Sequence, residues 1–164
     1  MSPSVRVEDM AGIEPALALT VPPEFEDENG HVNIRHYFDL HVRAADRTFA
    51  ALGVDDGYRA ARGMSVFSID HRVRYLDEVL VGQDVAVYVL FLARAAKTVH
   101  GVQALFNAGT GALANTFEFV EGHVDLAQRR TAPWPADVAA RIDAAIADGK
   151  AWPALPHEPG LGLR

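Results

Sequence analysis

A carboxylate, an amide and an imidazole stand at alternate positions in the stretch FEDENGHVNIRHY, residues 25–37: Asp27, Asn29 and His31. In an extended segment such positions project to one side. A carboxylate there could attack an acyl carbon or activate water, and an imidazole beside it could move a proton. The stretch runs directly into an expected helix. The first backbone N–H groups of a helix have no intrahelical acceptor and suit a developing negative charge. Asn33 is the expected N-cap, and acidic residues ahead of a helix favour its positive end. Capping alone therefore also accounts for several of these residue types.

Other chemistries fail on spacing. With Gly30 as the sixth position of a calcium loop, Phe25 would be first and His36 twelfth, where carboxylates are needed. His31, His36 and His41 are five apart. Five helical steps turn about 140° between neighbours, so the three share no face for zinc. A pair of His31 with Asp27 is the metal reading left open, and no metal site is expected. GMSVF at residues 63–67 lacks the second glycine of a nucleophile elbow. The absence of cysteine removes disulfides, thiolate metal sites and a cysteine nucleophile together.

The elements that would position these groups follow from periodicity. Residues 16–21, ALALTV, read as a short strand stopped by Pro22-Pro23. Ile34, Tyr37, Phe38, His41, Val42, Ala45, Phe49 and Leu52 recur at steps of three and four, one face of a helix of roughly 29 Å that Gly53 ends. A short helical turn is expected at 58–62. From 67 to 75 the period is two, with Phe67, Ile69, His71, Val73 and Tyr75 on one side. Residues 84–93, 98–107 and 113–120 read as further strands, the last extending toward Asp125, and 136–147 as a modest helix. Consecutive strands with tight links indicate an antiparallel sheet in an α+β domain. The expected organisation is a mobile lead-in over 1–15, a single domain over 16–130, and a C-terminal helix with an irregular tail over 131–164.

The 164 residues carry a net charge of −7 with 23% charged side chains. That balance argues against a nucleic-acid partner. The longest apolar run, 85–93, is too short for a bilayer, so no membrane partner is expected. MSPSVRVEDMAGIEP has no apolar segment of the kind a secretory signal needs, and a cytoplasmic location is expected.

Asp27-x-Asn29-x-His31-Val32-Asn33, followed by Tyr37, resembles the active-site segment of hotdog-fold acyl thioesterases. The plant acyl-carrier-protein thioesterases carry Asp-x-Asn-x-His-Val-Asn in the same place. The 4-hydroxybenzoyl-CoA thioesterase group has an Asp-x-x-Gly loop there, matched by Asp27 and Gly30. The resemblance spans residues 16–130 and implies a curved antiparallel sheet around one long central helix. Within the superfamily, PEFEDENGHVN, VRYLDEVLVGQDV and HVDLAQRR are most similar to the betainyl-CoA thioesterase-like group, whose acyl group is short and cationic.

The resemblance implies hydrolysis of an acyl-CoA without cofactor, in a homodimer or dimer of dimers with the site at an interface. Asp27 would attack the thioester or activate water. Asn29 would position it, and His31 would serve as base or structural partner. The backbone N–H groups of Gly30 and Val32 would polarise the carbonyl. Asn33, Tyr37, Phe67, Phe117 and Glu118 are the expected substrate contacts, with Glu118 pairing a quaternary ammonium group and the aromatics flanking it. Arg94, Lys97, Arg129 and Arg130, with Arg72 and Arg74, are candidates for the CoA phosphates. Two rivals share the fold: an enoyl-CoA hydratase or dehydratase, whose motif is missing here, and a non-catalytic acyl-CoA-binding module.

Overall fold

The computed structural model describes residues 5–156, 161 and 163. In chain order the elements are β1 (Leu17–Thr20), α1 (Ile34–Ala51), α2 (Asp56–Arg62), β2 (Met64–Tyr75), β3 (Asp84–Arg94), β4 (Thr98–Asn107), β5 (Leu113–Asp125), β6 (Arg130–Thr131) and α3 (Ala136–Gly149). The strands form one antiparallel sheet in the order β1-β3-β4-β5-β2, with β6 added to the far end of β5. This is the hotdog arrangement: a curled sheet with the long helix on its concave face.

Alternation along the strands sorts side chains between two faces. Val85, Val87, Val89 and Phe91 of β3 and Phe117 and Phe119 of β5 face Tyr37, Leu40, Ala44 and Phe49 of α1 in the main core. Ala86, Tyr88, Leu90, Val102, Ala104 and Phe106 point the other way. Both sides of β3 are covered, which is why its sequence is an unbroken apolar run.

The outer face is covered by the chain termini. Residues 5–13 were expected to be mobile, yet Val5, Met10 and Ile13 pack on Tyr88 and its neighbours, and Trp152 and Leu155 of the irregular tail join them. The Val7 N–H donates to Gly111 O at 3.0 Å, and Arg6 Nη2 donates to Thr110 O at 2.7 Å. Removing this apolar surface from water outweighs the polar composition that suggested mobility. The rest of the expected lead-in, residues 1–4, and tail residues 157–160, 162 and 164 lie outside the described residues.

Two further departures shape the site. The helix buries Tyr37, Leu40, His41, Ala44 and Phe49, whereas Ile34, Phe38 and Val42 are 63%, 46% and 40% exposed. α1 thus carries two apolar stripes, and periodicity merges them. In β2 the register to β5 shifts between Ser68 and Asp70, leaving Ile69 as an extra residue. A bulge reverses the phase of alternation. Val66, Ser68 and His71 therefore face α1. Phe67, paired with Gly122, faces outward, and Ile69 lies over Gly122 on that same side. The expected single row 67-69-71-73-75 is split.

Among the described residues, no helix is long and apolar enough to cross a membrane.

Candidate active site

The segment before α1 is a closed turn, not an extended run. Glu26 and Val32 form an antiparallel bridge. The Asp27 N–H donates to His31 O and the Gly30 N–H to Asp27 O, both at 3.0 Å. Gly30 has φ of 81°, a left-handed conformation that a side chain would resist. Asp27 and His31 consequently flank the base of the turn, with Asp27 Oδ1 3.7 Å from His31 Nδ1. The Asp27 side chain is only 9% exposed. Asn29 sits at the exposed tip, and its backbone N–H, at 2.8 Å, is what reaches Asp27 Oδ1. The expected alignment of three side chains on one side is thus replaced by a carboxylate–imidazole pair plus a backbone donor.

The backbone donors expected at Gly30 and Val32 are already engaged. Gly30 N–H holds the turn, and Val32 N–H donates to Val79 O at 2.9 Å, docking the loop onto the segment after β2. Neither is free to polarise a carbonyl. Asn33 acts as the N-cap: its Oδ1 accepts from Arg35 N–H at 3.1 Å. That oxygen already serves the helix start.

Beside this turn lies a cleft of about 310 Å³, lined by His31, Ile34, Tyr37, Tyr75, Leu76 and Glu78 among others. Tyr37, a predicted contact, stands edge-on to Tyr75 at 5.3 Å. Burial raises the Tyr37 phenol above its ordinary pKa, opposed by the Val79 backbone.

A second, smaller cavity of about 110 Å³ opens between α1 and the β2–β5 pair. Phe117, also predicted, forms part of its wall and stacks on His41 at 4.9 Å. Glu121 lies in the same wall, and its Oε1 receives His71 Nε2 at 3.0 Å and Ser68 Oγ at 3.3 Å. His41 is fully buried and its pKa is lowered to about 4, chiefly by burial; His71 adds to this, and hydrogen bonds to Asn115 and Gln103 oppose it. The ring is thus neutral near pH 7 and carries one N–H. Asn115 Nδ2 donates to Arg74 O at 2.9 Å, so Asn115 Oδ1 faces His41 Nε2 at 2.5 Å and takes that proton. Nδ1 then needs a donor. The Gln103 amide stands there with Oε1 at 3.1 Å, and turning it end for end presents its nitrogen to Nδ1.

The remaining predicted residues are elsewhere. Glu118 is on the outer face, its Oε1 2.8 Å from His100 Nε2. Phe67 lies outside under the Arg129 guanidinium, 4.9 Å from the ring centroid. Arg94 makes two 2.6 Å bonds to Asp143 on α3, which removes it as a free phosphate ligand. Lys97 and Arg130 are exposed near the end of the sheet where β5 meets β6. The Asp27 turn lies at the other end of β2, beside Tyr75.

Sequence reasoning missed Glu121, His71, Ser68 and Gln103. The signal was present in part. Phe117 and Glu118 are strand neighbours and cannot face the same side, whereas Phe117 and Glu121 can.

Residues 21–142 match the family model of the thioesterase-like superfamily. The chain is 34% identical over 142 residues to a betainyl-CoA thioesterase of Pseudomonas aeruginosa, covering 87% of each chain. It is 30% identical over 125 residues to an L-carnitine dehydrogenase/betainyl-CoA thioesterase of Rhizobium meliloti, covering 76% of this chain and 25% of that longer protein. A Staphylococcus aureus protein solved in complex with CoA superposes with a TM-score of 0.80 at 21% identity, over 90% of this chain and 92% of that one.

Proposed function

The chain belongs to the thioesterase-like superfamily and is a thioester hydrolase acting on acyl-CoA; on that premise we propose that its substrate is betainyl-CoA and that Asp27 carries the reaction. The observation behind this is the Asp27 carboxylate, nine-tenths buried at the base of a tight turn beside an open cleft, in a chain similar to a betainyl-CoA thioesterase. The carboxylate has two routes. It takes a proton from water, whose oxygen adds to the thioester carbonyl, and the tetrahedral intermediate expels CoA thiolate. Alternatively it adds to the carbonyl itself and releases thiolate, and water then cleaves the mixed anhydride. Both routes give the acid and CoA, and ¹⁸O from solvent enters Asp27 in a single turnover only by the second.

The working unit in this reading contains two copies. The exposed large apolar side chains include Ile34, Phe38 and Val42 of α1, Tyr75 at the end of β2, and Leu76 and Leu80 just beyond. β2 is an edge strand, paired on one side only by β5. A long unpaired edge beside an apolar stripe is a surface that another strand covers. Two β2 strands meeting antiparallel form a self-complementary contact. Such a contact sets the Tyr75 end of one strand, with its Asp27 turn, beside the Met64 end of the other. It also brings Lys97, Arg129 and Arg130 of one copy toward the site of its neighbour, as a CoA phosphate requires. A CoA ester as substrate supports a cytoplasmic location.

The test is thiol release from betainyl-, acetyl-, butyryl- and benzoyl-CoA. The highest kcat/KM is expected for betainyl-CoA. A betainyl ester cleaved no faster than the acetyl ester overturns the substrate assignment.

A further inference from the structure

Adding an oxygen to a thioester carbonyl drives negative charge onto the carbonyl oxygen, and a donor already in place there lowers the barrier. The cleft beside the Asp27 turn has few backbone donors to offer. The N–H groups of Gly30 and Val32 are engaged on Asp27 O and Val79 O. Those of Asn33, Arg35 and His36 go to Phe25 O, Asn33 Oδ1 and Asn33 O. A side chain in the first turn of α1 lines the same cleft as His31 and carries a neutral donor, the Tyr37 hydroxyl.

Tyr37 is 4% exposed, whereas the other phenol of the cleft, Tyr75, is 50% exposed at the end of β2. The two rings meet edge-on at 5.3 Å, a contact that restrains the buried one. The Val79 backbone hydrogen-bonds the phenol oxygen of Tyr37, and Val79 O takes the Val32 N–H at 2.9 Å. One residue thus ties the phenol to the Asp27 turn, across the few ångströms that separate the N–H and C=O of a single residue. No described residue accepts the Tyr37 proton. The hydroxyl is nevertheless not a buried atom lacking a partner; among the described residues that holds only for Thr98 Oγ1. Its proton therefore opens to the cleft. Burial above all raises the phenol's pKa, with Tyr75, Asp77 and Glu78 adding to it and the Val79 backbone opposing. Near pH 7 the group is a neutral donor and not a phenolate.

Resting on the assignment of Asp27 above, we propose that Tyr37 is a second catalytic residue, whose hydroxyl donates to the thioester carbonyl oxygen and stabilises the oxyanion. The electron pair of the attacking oxygen forms the new C–O bond, and the π pair of the carbonyl moves onto its oxygen. The phenol donates a hydrogen bond to that oxygen and keeps its proton. When the pair returns to carbon the C–S bond breaks, CoA leaves as thiolate, and the bond to Tyr37 weakens again. The donor therefore acts on the transition state and little on substrate binding. It serves either route open to Asp27, since both pass through a tetrahedral intermediate.

Tyr37→Phe keeps the ring and its packing and removes only the donor. On betainyl- and acetyl-CoA its kcat is expected to fall about 10²- to 10³-fold, the loss typical of one oxyanion donor, with KM and Tm close to wild type. Full kcat in Tyr37→Phe beside an inactive Asp27→Asn overturns the role of Tyr37 and leaves Asp27 standing. A fully active Asp27→Asn removes the reading on which the proposal rests. A second measurement keeps the hydroxyl in place. Tyr37→fluorotyrosine, introduced at that position alone, lowers the phenol's pKa at nearly constant shape. Activity that needs the protonated phenol then declines at lower pH than in the wild type, because the falling limb of the kcat profile follows the fluorinated group. A hydroxyl with a purely structural role leaves that limb where it is, and this result overturns the proposal.

Discussion

Asp27 Oδ1 accepts the backbone N–H of Asn29 at 2.8 Å, so the carboxylate proposed to do the chemistry also closes the turn that carries it. Asparagine keeps an oxygen for that bond and loses only the charge. Asp27→Asn is therefore expected to lower kcat by about 10²- to 10⁴-fold with an almost unchanged Tm. Thiol-release kinetics and thermal unfolding of the same sample check both halves. Full activity in this variant removes Asp27 from the mechanism.

The buried His41 makes stability pH-dependent. Its pKa is lowered from the ordinary 6.5 to about 4 in the folded chain. Between these values the unfolded state binds the extra proton, so stability rises with pH across this window. The contribution is complete above about pH 6.5 and is lost as pH falls toward 4, where it amounts to roughly 3 kcal/mol. Urea unfolding at several pH values should show that slope, and His41→Gln should flatten it. An identical slope in the variant would contradict the assignment.

Gly101 in β4 is expected to tolerate no side chain. A Cβ there would stand 2.7 Å from Leu90 O and 2.8 Å from Phe119 Cε1, one a backbone atom of the next strand and the other a buried ring. Gly101→Ala should cost about 1–3 kcal/mol by overpacking. A denaturation midpoint equal to that of the wild type would show that the sheet relaxes there without cost.

The exposed stripe on α1 yields a prediction about assembly. Sedimentation of the wild type should give twice the 17.8 kDa of one chain, or a multiple of that. Ile34→Glu combined with Phe38→Glu places two charges on the apolar face and should give monomers with little activity. Monomers that retain full activity would exclude a site shared between copies.

Much of the architecture was legible because it depends on local periodicity. The limits of α1, the strands and the Asn33 cap follow from residue types a few positions apart. What escaped was every feature set by partners distant in the chain. Ile69 gives no local sign of a bulge; only the register against Val120 and Glu121 reveals it, and with it the opposite facing of Phe67 and His71. The N–H of Val32 was expected to serve a ligand because nothing nearby would use it, and Val79, 47 residues on, does use it. Glu118 and Glu121 look alike as strand carboxylates. Their pairing with His100 outside and His71 inside separates them.

By itself the sequence determined the family, the order of elements and the choice of Asp27 as the candidate reactive group, since motif spacing and hydrophobic period are properties of short segments. The tertiary structure decided which carboxylate of β5 faces the helix, which backbone donors are already spent, and that the Asp27 turn precedes the first turn of α1 whereas the Glu121 cavity lies along positions 41 to 49 of that helix. Those are properties of strand register and helix length, and they come into being only when segments far apart in the chain pack against one another.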